Sequence, residues 1–407
     1  MNTGKQHIYH LPTNEITNLG SIAQQMQQAA QARGVILPPP LRLHIGEPSF
    51  RTPEHIERAA LLALQTETQT YGPPAGWPWL RTLLAAKIGR VNGYRVGPEQ
   101  TAVTVGGTGA ILSALLATVG PGDEVLIPDP YWPQYKMQLA ACGATGVTYA
   151  LDPANEWLPD VAGMDRLVTA RTRMVIMNSP ANPTGAVFPA RLVAELLDFA
   201  RRHQLYLLSD ECYDEMVFEG EHISPATLMT REEFEDGRVI CIYTFSKSYA
   251  MTGWRIGYVV TGSELLKTIS YVIDASYTNV SLLAQRAAAA ALCGPQDCVA
   301  QMRATYQRRR DLALRILREH GRYLSTPHGT FYLLVAVHTR EGEARSGGAV
   351  ARALLRERNV TVAPGGGFGH IAQSYVRVSL AGADNEIEQG LRELCAFADR
   401  HPGPLGP

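Results

Sequence analysis

Arg238-Val239-Ile240-Cys241-Ile242-Tyr243 runs directly into Thr244-Phe245-Ser246-Lys247-Ser248-Tyr249-Ala250-Met251-Thr252-Gly253-Trp254-Arg255-Ile256-Gly257-Tyr258. The first six residues form a short apolar, β-branched run, which predicts a buried strand. In open α/β sheets, ligands bind beyond the carboxyl ends of the strands, so this strand delivers Lys247 to a ligand-binding edge. Thr244 and Ser246 precede the lysine, and Arg255 follows it beyond a Thr-Gly turn. An amine, hydroxyls and a guanidinium held close together suit a phosphorylated aldehyde. The amine can form an imine, and the arginine can grip the phosphate with two parallel hydrogen bonds.

Working outward, other strands end in similar places. Thr101–Val105 reads as a strand that enters Gly106-Gly107-Thr108-Gly109-Ala110 and then an apolar helix from Ile111 to Val119. Strand, glycine turn and helix N-terminus make an anion site, because unpaired N–H groups point the same way. A dinucleotide fingerprint fits less well: Leu112 stands where the third small residue belongs, and no acidic residue ends a following strand at the expected distance. A single phosphate monoester is therefore the expected ligand of this turn. Val125–Ile127 leads to Pro128-Asp129-Pro130-Tyr131-Trp132. Met174–Met177 leads to Asn178-Ser179-Pro180-Ala181-Asn182-Pro183-Thr184-Gly185 and a helix from Pro189 to Arg202. Leu205–Leu208 leads to Ser209-Asp210-Glu211-Cys212-Tyr213, and the span from Asp210 to Lys247 leaves room for a crossover. Strand ends before Asn182, Asp210 and Lys247 thus point their chemistry the same way.

The flanks are simpler. A helix from Ile22 to Ala32 is stopped by Pro38-Pro39-Pro40, and Leu41–Ile45 alternates like a strand into Gly46-Glu47-Pro48. Pro53–Gln65 has helical periodicity and precedes Tyr71-Gly72-Pro73-Pro74-Ala75-Gly76-Trp77. After Gly262 helices dominate, with strands expected at 329–335, 360–362 and 375–379. Arg377 lies in the last of these, and an arginine amid apolar strand residues needs a partner. Residues 341–348 read as a surface loop and 401–407 as a frayed tail.

The bulk properties exclude several classes. A net charge of -1 over 407 residues gives no global attraction to nucleic acid or anionic membranes. No secretory signal and no membrane span are visible. Six scattered cysteines without a C-x-x-C pair read as reduced thiols of a cytoplasmic protein, and no His/Cys cluster has metal-ligand spacing. Arg308-Arg309-Arg310 reads as a solvated helix face.

The segment from Ser246-Lys247 to Gly257 resembles the lysine loop of class I/II aminotransferases, pyridoxal-phosphate enzymes of fold type I. Leu43 to Phe50, the Tyr71 loop, Asn182-Pro183-Thr184-Gly185 and Tyr375–Ser379 resemble further segments of that family, in family order. The resemblance implies an α/β fold with a mostly parallel seven-stranded sheet in a large domain, plus a small α/β domain. It places an N-terminal arm and part of the small domain at 1–47, the large domain at 48–292 and the rest of the small domain at 293–407. Lys247 would hold pyridoxal 5'-phosphate as an internal imine and serve as general base and acid. Asp210 would keep the pyridine nitrogen protonated, which makes the ring an electron sink. Asn182 and Tyr213 would meet its phenolate oxygen. An aromatic residue would stack on the ring; Trp132 matches by position, with Tyr131 one residue away. Gly107, Thr108, Gly109, Thr244, Ser246 and Arg255 would bind the phosphate, joined by Tyr71 from the neighbouring subunit of a homodimer. Arg377 and the Gly46 N–H would hold the carboxylate of an amino acid or 2-oxo acid, with Asn182 beside them. Other chemistry on the same cofactor, such as elimination, decarboxylation or oxygen-dependent oxidation, stays open at this point. A regulator with an aminotransferase-like domain would need a DNA-binding module, which the residues before Leu43 do not resemble.

Overall fold

The computed structural model describes residues 15–339, 342 and 345–400. In chain order its helices and strands are α1 (Glu15–Ala32), β1 (Leu41–Leu43), α2 (Glu54–Thr66), α3 (Pro78–Lys87), β2 (Thr101–Thr104), α4 (Gly106–Thr118), β3 (Glu124–Asp129), α5 (Gln134–Ala141), β4 (Thr145–Asp152), β5 (Leu158–Pro159), α6 (Val161–Met164) and β6 (Thr172–Asn178). There follow α7 (Ala190–Arg202), β7 (Tyr206–Asp210), α8 (Arg231–Glu235), β8 (Val239–Thr244), β9 (Gly257–Val260), α9 (Ser263–Tyr277), α10 (Leu282–Cys293), α11 (Asp297–Glu319), β10 (Tyr332–Ala336), α12 (Gly347–Arg358), β11 (Val360–Pro364), β12 (Tyr375–Ser379) and α13 (Asp384–Arg400).

The apolar runs of β3, β6, β7 and β8 are almost wholly buried. Strands buried on both faces are the mark of a parallel sheet covered by helices. The large sheet has the order β2-β9-β8-β7-β6-β3-β4-β5. Neighbours from β8 across to β4 pair in parallel. Strand β9 runs antiparallel to both β2 and β8, and the two-residue β5 adds an antiparallel edge beside β4. The expected seven strands are therefore present, with β5 as a short eighth. Because β2, β3, β6, β7 and β8 run in one direction, their carboxyl ends meet along one edge.

A second sheet, β1-β11-β12-β10, joins the N-terminal segment to the C-terminal third. Strand β1 pairs in parallel with β11, and β12 lies antiparallel between β11 and β10. Its core gathers Leu43, Val335, Leu354, Val362, Val378 and Leu391, all buried. Leu41, Leu43 and Ile45 were expected to alternate over a longer strand, but β1 stops at Leu43 and its chain turns toward the edge of the large sheet.

Two expectations are corrected here. Arg309 and Arg310 are buried, not part of a solvated face. Arg309 donates to Asp384, to the Ser49 hydroxyl and to the Leu380 carbonyl, while Arg310 pairs with Glu219 and Asp311. All of these partners except the adjacent Asp311 come from remote segments, and pairing is what lets a guanidinium leave water. Helix α4 begins at Gly106 rather than Ile111, so the glycine turn is itself the first turn of the helix. Of the expected 341–348 loop, Gly347 and Gly348 open α12, and much of the rest lies outside the described residues, as do 1–14 and the 401–407 tail. No helix among the described residues is long and apolar enough to cross a membrane.

The edge where β9 passes α4 has no room to spare. A Cβ on Gly257 would lie 2.7 Å from the carbonyl carbon of Gly106 and 2.7 Å from the Tyr243 carbonyl oxygen. Both obstacles are backbone, so neither can rotate away. Gly257→Ala is expected to cost about 1–3 kcal/mol through forced backbone shifts, read as a lowered denaturant midpoint at unchanged slope.

Candidate active site

The carboxyl edge of the large sheet opens into a cavity of about 870 Å³. Its lining includes Gly107 and Thr108 of α4, Trp132 after β3, Asn178 and Asn182 around the end of β6, and Asp210, Cys212 and Tyr213 at the end of β7. Thr244, Ser246, Lys247 and Arg255 enter from the β8 side, His44, Gly46 and Glu47 after β1, Tyr332 from β10 and Arg377 from β12. Helix α1 adds Gly20, Ser21 and Gln24. Segments more than 300 positions apart thus meet in one concave site.

At one end of the cavity stands a cradle for an anion. Gly106 has a φ of +69°, and a Cβ there would come within 2.8 Å of an Arg255 terminal nitrogen. The positive φ calls for glycine here. Gly107 is equally constrained, since a Cβ would lie 2.6 Å from the Cys212 sulfur. The free N–H groups of the first α4 turn and the positive end of its dipole face this region. Thr244 Oγ1 donates to Ser246 Oγ at 2.9 Å, and the Ser246 N–H donates to Thr244 Oγ1 at 3.2 Å. Arg255 is exposed, steadied by the Thr252 carbonyl at 2.7 Å. Gly109 does not line the cavity; its N–H is spent on the Val105 carbonyl at 3.3 Å, inside the helix.

Lys247 sits beyond this cradle. Its Nζ donates to the Gly46 carbonyl at 2.7 Å and lies 5.7 Å from the ring centroids of both Tyr213 and Phe331. In this structure Gly46 offers its carbonyl to the lysine. A side chain at Gly46 is barred by Tyr332, whose hydroxyl oxygen would be 2.3 Å from a Cβ. Tyr213 donates its own hydroxyl hydrogen to Tyr332 at 3.0 Å.

The floor is acidic. Asp210 is buried at the end of β7, and burial pushes its carboxyl pKa up; hydrogen bonds from Tyr135 and Cys212 hold it down against that push. Tyr135 donates to one carboxylate oxygen, and the Cys212 N–H donates to the other at 3.2 Å. Asn178 secures the surrounding backbone. Its amide donates to the Asp210 carbonyl at 3.0 Å, and its Oδ1 accepts the Asn182 N–H at 2.8 Å. Trp132 is half-buried, lines the cavity and packs edge-on against Tyr135 at 5.5 Å; Tyr131 is buried and does not line it.

At the other end lies Arg377, buried, with its basicity lowered by that burial. It donates to Asn182 Oδ1 at 3.0 Å and to the His44 carbonyl at 2.8 Å, while its Nε has no hydrogen-bond partner among the described residues. The rings of Tyr332 and Phe368 lie 4.2 and 4.8 Å from the guanidinium carbon. Both hydrogen-bond acceptors are neutral, so the buried charge has room for a carboxylate. His44 is neutral at ordinary pH: burial, then Arg42 and Arg377, lower its pKa to about 4.

The site residues expected from the sequence therefore gather in one cavity, apart from Gly109 and Tyr71. Tyr71 is 85% exposed on the outer surface of the chain. Tyr332, Tyr135, His44 and Asn178 were not singled out from the sequence. Tyr135 had a usable signal, one helical turn after Trp132; His44 and Tyr332 had none, because their meeting with Arg377 depends on the second sheet. Among the described residues no group of His, Cys, Asp and Glu could hold a metal ion.

The donor set fits pyridoxal phosphate. There is an anion cradle for its phosphate, an amine for its aldehyde, a buried acid for its ring nitrogen and an indole to face its ring. Comparison with known proteins agrees. The family model for aminotransferase class I and II matches residues 38–394. An aspartate/prephenate aminotransferase of Thermus thermophilus is 37% identical over 362 residues, covering 88% of this chain and 91% of the relative. The solved aspartate aminotransferase of the same organism with maleate superposes with a TM-score of 0.88 at 35% identity, covering 98% of this chain and all of that one. An aromatic aminotransferase of Pyrococcus horikoshii superposes with a TM-score of 0.82 at 33% identity, over 88% of this chain and 95% of that one. The chain belongs to the class I and II aminotransferases, enzymes that move amino groups with the help of pyridoxal phosphate.

Proposed function

We propose that this aminotransferase binds its cofactor covalently through Lys247 and takes the carboxylate of an L-amino acid or 2-oxo acid on Arg377. The observation that carries this is the buried guanidinium of Arg377, which faces the lysine's cavity with neutral acceptors only. A buried cation without a counter-ion is costly until a charged ligand arrives. A carboxylate substrate supplies the missing charge and can meet the planar fork with two oxygens.

Pyridoxal phosphate, when bound, supplies an aldehyde that condenses with amines and a ring that accepts the electron pair left at the substrate Cα. Gly107, Thr108, Thr244, Ser246 and Arg255 would hold its phosphate, with Tyr71 of the partner subunit. Asn182 and Tyr213 would hydrogen-bond its phenolate oxygen, and Trp132 would cover its ring. Asp210, its carboxylate fixed by Tyr135, would face the ring nitrogen and favour a proton there. With cofactor and substrate bound, the Lys247 amine would be the base that serves the substrate α-proton. It would take that proton and later give it back, so one residue would serve as base and then acid. The Gly46 carbonyl and the two flanking rings confine the amine's swing.

The same proposal covers the assembly and setting. Helix α2 presents Leu61, Leu62 and Leu64 to the outside, each more than half exposed, near the exposed Tyr71 loop in sequence. Such apolar exposure favours a homodimer, with Tyr71 crossing to the other site. The large domain would span 48–292, and the small domain would join residues up to 47 with 293–407. All six cysteines are free, which suits the cytoplasm.

The names of the relatives bring aspartate forward as a donor, and the Pyrococcus protein brings aromatic amino acids. A dicarboxylic donor needs a second cation. Among the described residues, the cations lining this protomer's cavity, Lys247, Arg255 and Arg377, each already have a proposed role. Phenylalanine and tyrosine are therefore expected to match or exceed aspartate in kcat/KM, measured on a donor panel with one oxo acid. Aspartate preferred by more than about tenfold, or 1.4 kcal/mol, would require a further cation, from the partner subunit.

Lys247→Ala is expected to abolish both the absorbance of lysine-bound cofactor and transamination, while a phosphate analogue of the cofactor still binds. Retained transfer would overturn the assignment of Lys247. Tyr135→Phe removes a hydrogen bond that lowers the Asp210 pKa, so that pKa moves further up. Asp210 must be ionised to act, so the acid limb of the kcat/KM profile is expected to shift to higher pH. An unmoved acid limb would show that Tyr135 does not tune this carboxylate.

A further inference from the structure

Asp129 is a buried carboxylate outside the cavity lining, and nothing in the chemistry above uses it. It ends β3, three residues before Trp132. Its two oxygens accept the backbone N–H groups of His370 at 3.0 Å and Ile371 at 3.2 Å. Those residues belong to the 365–374 loop between β11 and β12. A third bond ties the same segments: the Tyr131 N–H donates to the Phe368 carbonyl at 2.7 Å. Between them lies Gly369, with a φ of +132°, where a Cβ would fall 2.1 Å from an Asp129 oxygen. Only glycine permits both that backbone and that approach. Burial pushes the Asp129 pKa up, and the two N–H donors and Lys136 oppose it. The carboxylate is thus committed to this loop.

The loop carries Phe368, fully buried, whose ring lies against the Arg377 guanidinium. We propose that Asp129 is a positioning residue for carboxylate recognition, fastening the 365–374 loop to the end of β3 so that Phe368 holds Arg377 in its binding orientation. This rests on the assignment of Arg377 to the substrate carboxylate. The same fastening ties the two sheets together, because Trp132 follows the end of β3 just beyond Asp129 and Arg377 lies within β12, three residues after the loop. Asparagine in place of Asp129 keeps the shape but sets an N–H₂ against one of the two N–H donors. That turns one bond into a repulsion and loosens the loop without opening a void.

The test is steady-state kinetics on the holoenzymes of Asp129→Asn, Phe368→Leu and the double variant, with cofactor affinity measured by spectral titration. Inhibition by propionate reports on carboxylate binding without an amino group. Asp129→Asn is expected to raise the KM for the amino donor and the inhibition constant of propionate together, roughly ten- to hundredfold, with cofactor affinity unchanged. The double variant is expected to be no worse than the weaker single variant, because both changes act through one route. Unchanged KM, an equal loss of cofactor affinity, or independent multiplying effects would overturn the proposal. Arg377→Ala is the control that separates it from its premise. If that variant binds propionate as the parent does, the assignment of Arg377 fails. If it loses propionate while Asp129→Asn does not, the role of Asp129 alone fails. Should Asp129→Asn not yield folded holoenzyme, Phe368→Leu is judged by the same comparison of KM with cofactor affinity.

Discussion

Parallel hydrogen bonding across β3, β6, β7 and β8 is the constraint from which the site follows. It forces the chain to leave each strand at the same edge. Asn178 therefore stands in register with Asp210, and Asp210 with Ile242, two residues before Thr244. Chemistry scattered through the chain arrives within side-chain reach because the crossovers return each strand in the same direction. The antiparallel β9 then closes the edge beside α4, where glycine against backbone permits the tight approach that shapes the anion cradle.

The second sheet completes what the first begins. It brings Arg377, the ring of Tyr332 and the carbonyl of His44 to the cavity that holds Lys247. Electrostatically the cavity is arranged in order: a cationic cradle at one end, a buried acid on the floor and an isolated guanidinium at the other end. A molecule that carries a phosphate at one end and a substrate carboxylate at the other suits this arrangement. Asn182 lies between the two halves, bonded through its backbone to Asn178 and through its side chain to Arg377. A single residue thus links the end of β6 to the guanidinium of β12.

Much of this was legible in the sequence because buried parallel strands advertise themselves as apolar runs. β6, β7 and β8 were visible that way, and the residues after them carried the chemistry. Other parts were hidden for definite reasons. Strand β9 is short and begins within the lysine loop's own motif, and β4 is only partly buried, so its pattern is diluted. The first turn of α4 is masked by three glycines, which are poor helix formers and were read as a loop. Arg309 and Arg310 looked like a wet face, because Glu219 and Asp384, which pair with them, lie in distant segments. Local pattern reports the face a residue shows its own helix; it does not report which distant segment will cover it. The same limit hid His44 and Tyr332.

The contact between Gly46 and Tyr332 has a consequence for how this enzyme can change over time. A Cβ at position 46 would collide chiefly with one atom, the Tyr332 hydroxyl oxygen, while the next ring carbon stands 3.3 Å away. The two positions are therefore coupled in order: loss of the hydroxyl at 332 must precede gain of a methyl at 46. The hydroxyl is also the acceptor for Tyr213, so that first step leaves a second ring without its partner. Mutational drift here has a direction, and a lineage that takes the first step inherits a site in which the Tyr213 hydroxyl is free to be reassigned while the Gly46 carbonyl still holds the lysine.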